Sequence, residues 1–142
     1  MAGILLASGQ HFIVDLLADY SGLYAGLMIN SGVIAENAQL GVSLPDLVEL
    51  DSGTSVGYAR KEITAWTKGG TATDPTISSN QMAWVVSGTW PQVNGYFVAK
   101  SSAEGTYDAI WAEVFPSAQQ GDKLNGDQIL LTAIYEQKDD AE

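Results

Sequence analysis

The chain has 142 residues, 46% of them hydrophobic, and sets 17 acidic side chains against 6 basic ones for a net charge of −11. That length fits one domain with a core large enough to need no staple, and the lack of cysteine excludes disulfides and thiolate metal sites. Six scattered cations (Arg60, Lys61, Lys68, Lys100, Lys123 and Lys138) are too few to displace the counterions of a phosphate backbone, and an anionic bilayer would repel this surface, so neither nucleic acid nor membrane is an expected partner.

Residues 1–8 are small and apolar with no clear period, which suits an arm laid on a neighbouring molecule or a frayed terminus. The apolar run at Ile4, Leu5 and Leu6 is too short for the core of a signal peptide, and no basic residue precedes it. Residues 10–20 predict a helix: Phe12, Leu16 and Tyr20 recur at i, i+4 and i+8, with Ile13 and Leu17 beside them, and Ser8 as N-cap. Residues 23–30 are apolar at both parities, as in a strand buried on two sides, and Asn30-Ser31-Gly32 closes it. Residues 33–42 read mostly as loop. Ser43-Leu44-Pro45-Asp46 then has the form of a capping box, and Leu44, Leu47 and Leu50 predict one face of a second short helix.

From Gly57 onward the signals are strand and turn, with candidate strands at 58–66, 81–87, 94–100, 107–115 and 128–136. Period-two spacing turns Trp84 with Val86, and Trp111 with Ala109 and Phe115, inward. Asn94-Gly95 and Asn125-Gly126 offer positive φ before the strands they precede. Residues 67–80, with Gly69-Gly70, Asp74-Pro75 and many Ser and Thr, predict a long exposed loop, and residues 137–142 a charged tail. The expected organisation is an arm (1–8), a single β-rich domain (9–136) and a tail (137–142). The expected fold is mainly β, an antiparallel β-sandwich or jelly-roll-like domain with one or two short N-terminal helices.

Catalytic patterns are scarce. His11 is the only histidine and stands at the start of an amphipathic helix, away from any nucleophile. Glu113, between Trp111 and Phe115, is the one carboxylate that burial could tune, and a hydrolase would need a cleft and a second acid beside it. Asp108, at the opposite parity from Trp111, reads as solvent-facing. Asp122, Asn125 and Asp127 have the wrong spacing for a calcium loop and suit a hairpin turn. Gly53 to Gly57 lacks the lysine and the helix of a phosphate loop, so Gly57 reads as a bend before Tyr58. Tyr58, Arg60 and Glu62 share a strand face and could form a stacked, hydrogen-bonded cluster at a strand edge or a subunit contact. No cofactor and no metal are expected.

The segment Gly57-Tyr58-Ala59-Arg60-Lys61-Glu62-Ile63-Thr64-Ala65-Trp66 follows the helix-like 44–50. Ser87-Gly88-Thr89-Trp90 then leads to Gly95-Tyr96-Phe97-Val98, an acidic aromatic strand covers 107–115, and Gly121-Asp122 opens the run to Tyr135. In this order the motifs resemble small virion proteins of tailed bacteriophages, over roughly residues 9–136. The resemblance implies a structural protein without enzymatic activity, most like a capsid decoration (cement) protein on the outer head surface. Such a protein is assembled in the host cytoplasm, often as a trimer, and clamps the major capsid protein after expansion. Ile4, Leu5 and Leu6, the pair Tyr58 and Arg60, and Asp74 with Pro75 in the 67–80 loop are then the expected capsid or intersubunit contacts. The alternative is a tail, fibre or head-fibre module binding a host-surface glycan by stacking on Trp66 and Trp90.

Overall fold

A computed structural model describes residues 7–32, 34, 41, 46–105 and 108–137, with the side chains of residues 7–11 not described. The expectations for Ile4, Leu5 and Leu6, for the capping box and for the tail beyond residue 137 lie outside the described residues. Among the described residues one α-helix, α1 (Ala7–Asp19), precedes a series of short strands. Those strands pair antiparallel throughout, so the chain is mainly β and sandwich-like, as its turn spacing predicts.

Four strands form the largest sheet, in the order β2 (Lys61–Glu62), β1 (Tyr24–Met28), β7 (Gly95–Ala99) and β8 (Ala109–Val114). A second sheet orders β11 (Ile134–Glu136), β4 (Pro75–Ser79) and β3 (Trp66–Gly70). Two ribbons complete the fold, β5 (Met82–Val85) with β10 (Gln128–Leu131), and β6 (Trp90–Val93) with β9 (Gly121–Lys123).

β1 and β7 are buried on both faces, which their apolar residues at both parities require. Ala25, Leu27, Tyr96 and Val98 turn to the main core, where they meet Trp84, Trp90, Ile129 and Leu131. Met28, Phe97 and Ala99 turn to the other face and join Leu47 in a smaller cluster.

Several expectations are corrected. The helix begins at Ala7, which puts Ser8 inside it rather than at the cap. Its buried contact is Val14, packed over β3 and β4, whereas Phe12, Leu16 and Tyr20 face outward. Residues 46–50 are extended, not helical: Glu49 bridges Met28, Ile29 N–H donates to Val48 O at 3.0 Å, and Leu50 N–H to Leu27 O at 2.9 Å. Leu47 and Leu50, three apart, therefore point to opposite faces of a strand-like run and enter different clusters. The Asn30 side chain brackets this run, donating to Asp46 O at 2.7 Å and accepting from Val48 N–H at 2.8 Å.

The 67–80 segment is a β-hairpin rather than a loop. β3 and β4 pair from Trp66 opposite Ser79 to Gly70 opposite Pro75, and Ile77 is fully buried. Thr76 and Ser78 occupy the outward positions of β4 while Ser79 is buried, and composition alone cannot distinguish such residues from loop. Gly70 has φ 83° and lies so close to Thr76 N that a Cβ would stand 2.9 Å from it, so this glycine turns the hairpin. The expected strand at 58–66 is reduced to β2 and the first residue of β3, and 128–136 breaks at Thr132-Ala133 into β10 and β11. Gly126 has the expected positive φ of 90°, but Gly95 lies within β7, where a Cβ would stand 2.5 Å from Glu113 O.

Candidate functional site

Arg60 enters the chain interior from the approach to β2, and its guanidinium is almost completely enclosed. Nε and Nη2 donate to Glu49 Oε1 and Oε2, each at 2.9 Å, while Nη1 donates to Ser101 O at 2.8 Å and to Asp108 Oδ1 at 3.2 Å. The guanidinium lies over the Phe97 ring, 5.0 Å from its centroid. Glu49 also accepts from Tyr58 Oη at 2.7 Å and from Gly105 N–H at 2.9 Å, and Tyr58 Oη accepts from Leu27 N–H at 3.0 Å. Burial, with the Glu49 charge added to it, pushes the Tyr58 phenol far above its ordinary value. For Arg60, burial acts to lower the pKa, but the hydrogen bonds and charges of Glu49 and Asp108 outweigh it and hold the guanidinium above its ordinary value.

This is the stacked, hydrogen-bonded cluster expected around Tyr58 and Arg60, with two changes of membership. Glu62 is exposed on β2 and takes no part; Glu49 replaces it. Asp108 turns in to Arg60 instead of facing solvent. Tyr58 and Arg60 are both buried within the chain, so neither presents a surface for a capsid or intersubunit contact.

Asp74 and Pro75 close the β3–β4 hairpin. Asp74 N–H donates to Thr71 Oγ1 at 3.0 Å, Asp74 O accepts from Thr71 N–H at 3.1 Å, and Pro75 is buried. The outermost residues of that hairpin are Thr71, Ala72 and Thr73, not the Asp-Pro pair.

The two tryptophans expected to stack on sugars part company. Trp90 is 0% exposed, donates Nε1–H to Val56 O at 2.9 Å, and meets Tyr58 edge-on at 5.9 Å, which removes it as a glycan platform. Trp66 is half-buried against Trp111, with ring centroids 6.0 Å apart.

Glu113 is exposed on β8 and accepts from Tyr96 Oη at 2.8 Å. It lines an open groove of about 480 Å³ together with Phe115, Leu130, Ile134 and Glu136. A cleft and a second carboxylate are thus both present, but the Glu113 acceptor is already fixed by a buried tyrosine. The acids and amide of the 122–127 turn are engaged as well: Asp122 accepts from Gln92 N–H at 2.9 Å, Asn125 from Gly88 N–H at 3.0 Å and Asp127 from Leu124 N–H at 2.7 Å. Gln92 has φ 53°, and the Asp122 acceptor holds its amide in that left-handed conformation. Among the described residues no group of three or more His, Cys, Asp and Glu side chains could hold a metal, and no helix is long and apolar enough to cross a membrane. His11 lies in α1.

The most distinctive outward feature is apolar. On the β5–β10 ribbon Met82, Trp84, Ile129 and Leu131 face the core, leaving Ala83, Val85 and Leu130 on the outer face. Val85 is 66% exposed, Leu130 54%, and Ile134 at the start of β11 51%. The sequence carries the signal for this face: residues 82–86 and 129–131 are apolar at both parities, yet a ribbon at the surface can bury only one. Compared with family models, curated proteins and solved structures, the chain matches none.

Proposed function

We propose that this chain is a structural protein of a bacteriophage virion, most like a capsid decoration protein that binds the outer head surface and stabilises the expanded capsid. Its partner is the major capsid protein, and it acts as a homo-oligomer, a trimer in the arrangement that the resemblance implies. The observation that carries the reading is the outward apolar face at Val85, Leu130 and Ile134. Charged groups that could do chemistry, Glu49, Arg60 and Asp108, are tied to one another, while side chains that gain from leaving water stand outside. A surface of that kind binds rather than reacts.

The mechanism is burial repeated by symmetry. A specific interface removes roughly 1,200–2,000 Å² from water, and many copies clamping neighbouring subunits resist pressure from within the particle. The net charge of −11 favours solubility before the protein docks. Quantitative mass spectrometry of purified particles tests the reading. Copy numbers on the order of hundreds support an icosahedral lattice partner, about three to a few dozen move the protein to the tail, a fibre or a vertex, and absence from particles overturns both.

A further inference from the structure

α1 is apolar on two sides, and among the described residues only one of them packs against the fold. Val14 is 2% exposed where the helix packs over β3 and β4. On the other side Phe12, Leu16 and Tyr20, each about one turn from the next, are 62%, 56% and 49% exposed. A lone exposed leucine is ordinary, but three large side chains in line along a helix form a seam. Ile13 and Leu17, half-buried beside it, widen the seam toward the body of the chain.

We propose that this seam pairs with the same seam of a second copy, in an antiparallel contact about a twofold axis. The charge pattern of the helix selects that occupant and that direction. The first turn of α1 has no acidic residue and the last turn no basic one, while Asp15 and Asp19 both lie in the second half. Within one chain this is unfavourable, because carboxylates sit at the negative end of the helix dipole, where Lys68 attracts both of them but no basic residue lies in the helix's own last turn. Asp15 is held by Lys68 Nζ at 2.7 Å from β3, which keeps that carboxylate to one side of the seam. Antiparallel pairing with Phe12 of each copy against Leu16 of the other brings each Asp19 beside the first turn of its partner, where amides without an intrahelical partner carry the positive end. A twofold contact makes that correction twice. A parallel pair would instead bring acid to acid. An anionic bilayer, the other usual cover for an apolar helix face, offers Asp15 and Asp19 no positive end to meet.

This contact does not depend on the virion reading, and the threefold arrangement implied by the resemblance would use another surface. Sedimentation velocity of the full chain over a range of concentrations tests it. The expected species has twice the 15.0 kDa chain mass and dissociates on dilution. Leu16→Glu, at an exposed position, must give a single-chain mass with an unchanged far-ultraviolet circular dichroism spectrum. Asp19→Lys, outside the apolar seam, must weaken the dimer as well, because it places a cation beside the partner's first turn. The proposal is overturned by a wild-type monomer at every concentration, as would follow if the seam were covered within its own chain. It is equally overturned by a dimer that survives Leu16→Glu, or by one indifferent to Asp19→Lys. A three-chain species untouched by Leu16→Glu overturns the twofold contact and leaves the virion reading standing.

Discussion

Glu49 and Arg60 meet as a two-pronged pair, with Nε to Oε1 and Nη2 to Oε2 both at 2.9 Å and the two side chains 5% and 0% exposed. Such a pair loses most of its water, and attraction alone seldom compensates for that. Here further partners compensate: Tyr58 Oη and Gly105 N–H on the carboxylate, Ser101 O and Asp108 on the guanidinium, so that four of its five N–H groups are engaged. The result fastens three segments, at residues 49, 58–60 and 101–105 with Asp108, to the side of the β1–β7 pair that carries Phe97. The pair stabilises the fold by tying residues 58–60 and the turn near Ser101 to the extended run at Glu49.

Removing one partner leaves the other charge buried and unmatched, which costs about 3–5 kcal/mol. Arg60→Met is therefore expected to lower the unfolding free energy in urea by that amount. Arg60→Lys should recover only part of it, since an ammonium cannot make the two parallel bonds. A loss below about 1 kcal/mol for Arg60→Met, the range of an exposed ion pair, would show that the cluster contributes little.

Alkaline pH should weaken the protein through its buried tyrosines. Burial pushes the Tyr96 phenol up to about 12; the Ile134 backbone opposes the shift, and the hydrogen bond and charge of Glu113 reinforce it. Tyr58 goes higher still, mainly through burial. The folded state thus holds protons that the unfolded chain releases near 10. Stability is full below that value and falls as pH rises from about 10 through about 12, by up to about 1.4 kcal/mol per pH unit for each such tyrosine. Melting temperature followed across this window should fall less steeply in Tyr96→Phe than in the wild type. Equal slopes would remove Tyr96 from the effect.

What the sequence made legible was period and turn chemistry; what it hid was partnership. The doubly buried β1, the inward Trp84 and the positive φ of Gly126 follow from spacing and residue type. The hairpin at 66–79 was hidden because Ser, Thr and Gly serve equally in loops and on the wet side of strands. Leu44, Leu47 and Leu50 gave a helical spacing, but for residues 46–50 the neighbouring β1 edge and the Asn30 amide supply backbone partners that favour an extended run. The shared parity of Tyr58 and Arg60 points to a cluster, yet Glu49 and Asp108, 11 and 48 residues from Arg60, cannot be assigned to it from one strand's parity. The apolar spacing of α1 does mark a helix, but docking through Val14 leaves Phe12, Leu16 and Tyr20 outside.

Gly26 faces Phe97 directly across the β1–β7 pair, and the ring lies over the space where a side chain would be. A Cβ on Gly26 would stand 2.6 Å from Phe97 Cε1, and the ring is flanked by the Arg60 guanidinium, so it has little room to move. Gly26→Ala should therefore destabilise by about 1–3 kcal/mol through overpacking. Adding Phe97→Leu opens the space, and the double variant should lose clearly less than the sum of the two single ones. Strict additivity in chemical denaturation would mean that the ring does not set the demand for glycine at position 26.

Val85 and Leu130 offer the sharpest separation of binding from folding. Both face outward from the β5–β10 ribbon at more than half exposure, so Val85→Glu and Leu130→Glu should leave stability within about 0.5 kcal/mol of the wild type. On the virion reading each of these side chains leaves water when the protein docks, contributing roughly 1.5–3 kcal/mol. Either glutamate should then weaken binding to expanded capsids by about tenfold or more, measured by co-sedimentation with particles depleted of the native protein. Variants that fold normally and bind undiminished would clear this ribbon of any part in docking. Gln128→Glu, at an exposed position opposite Val85, adds the same charge without removing an apolar side chain and should fold and bind as the wild type does.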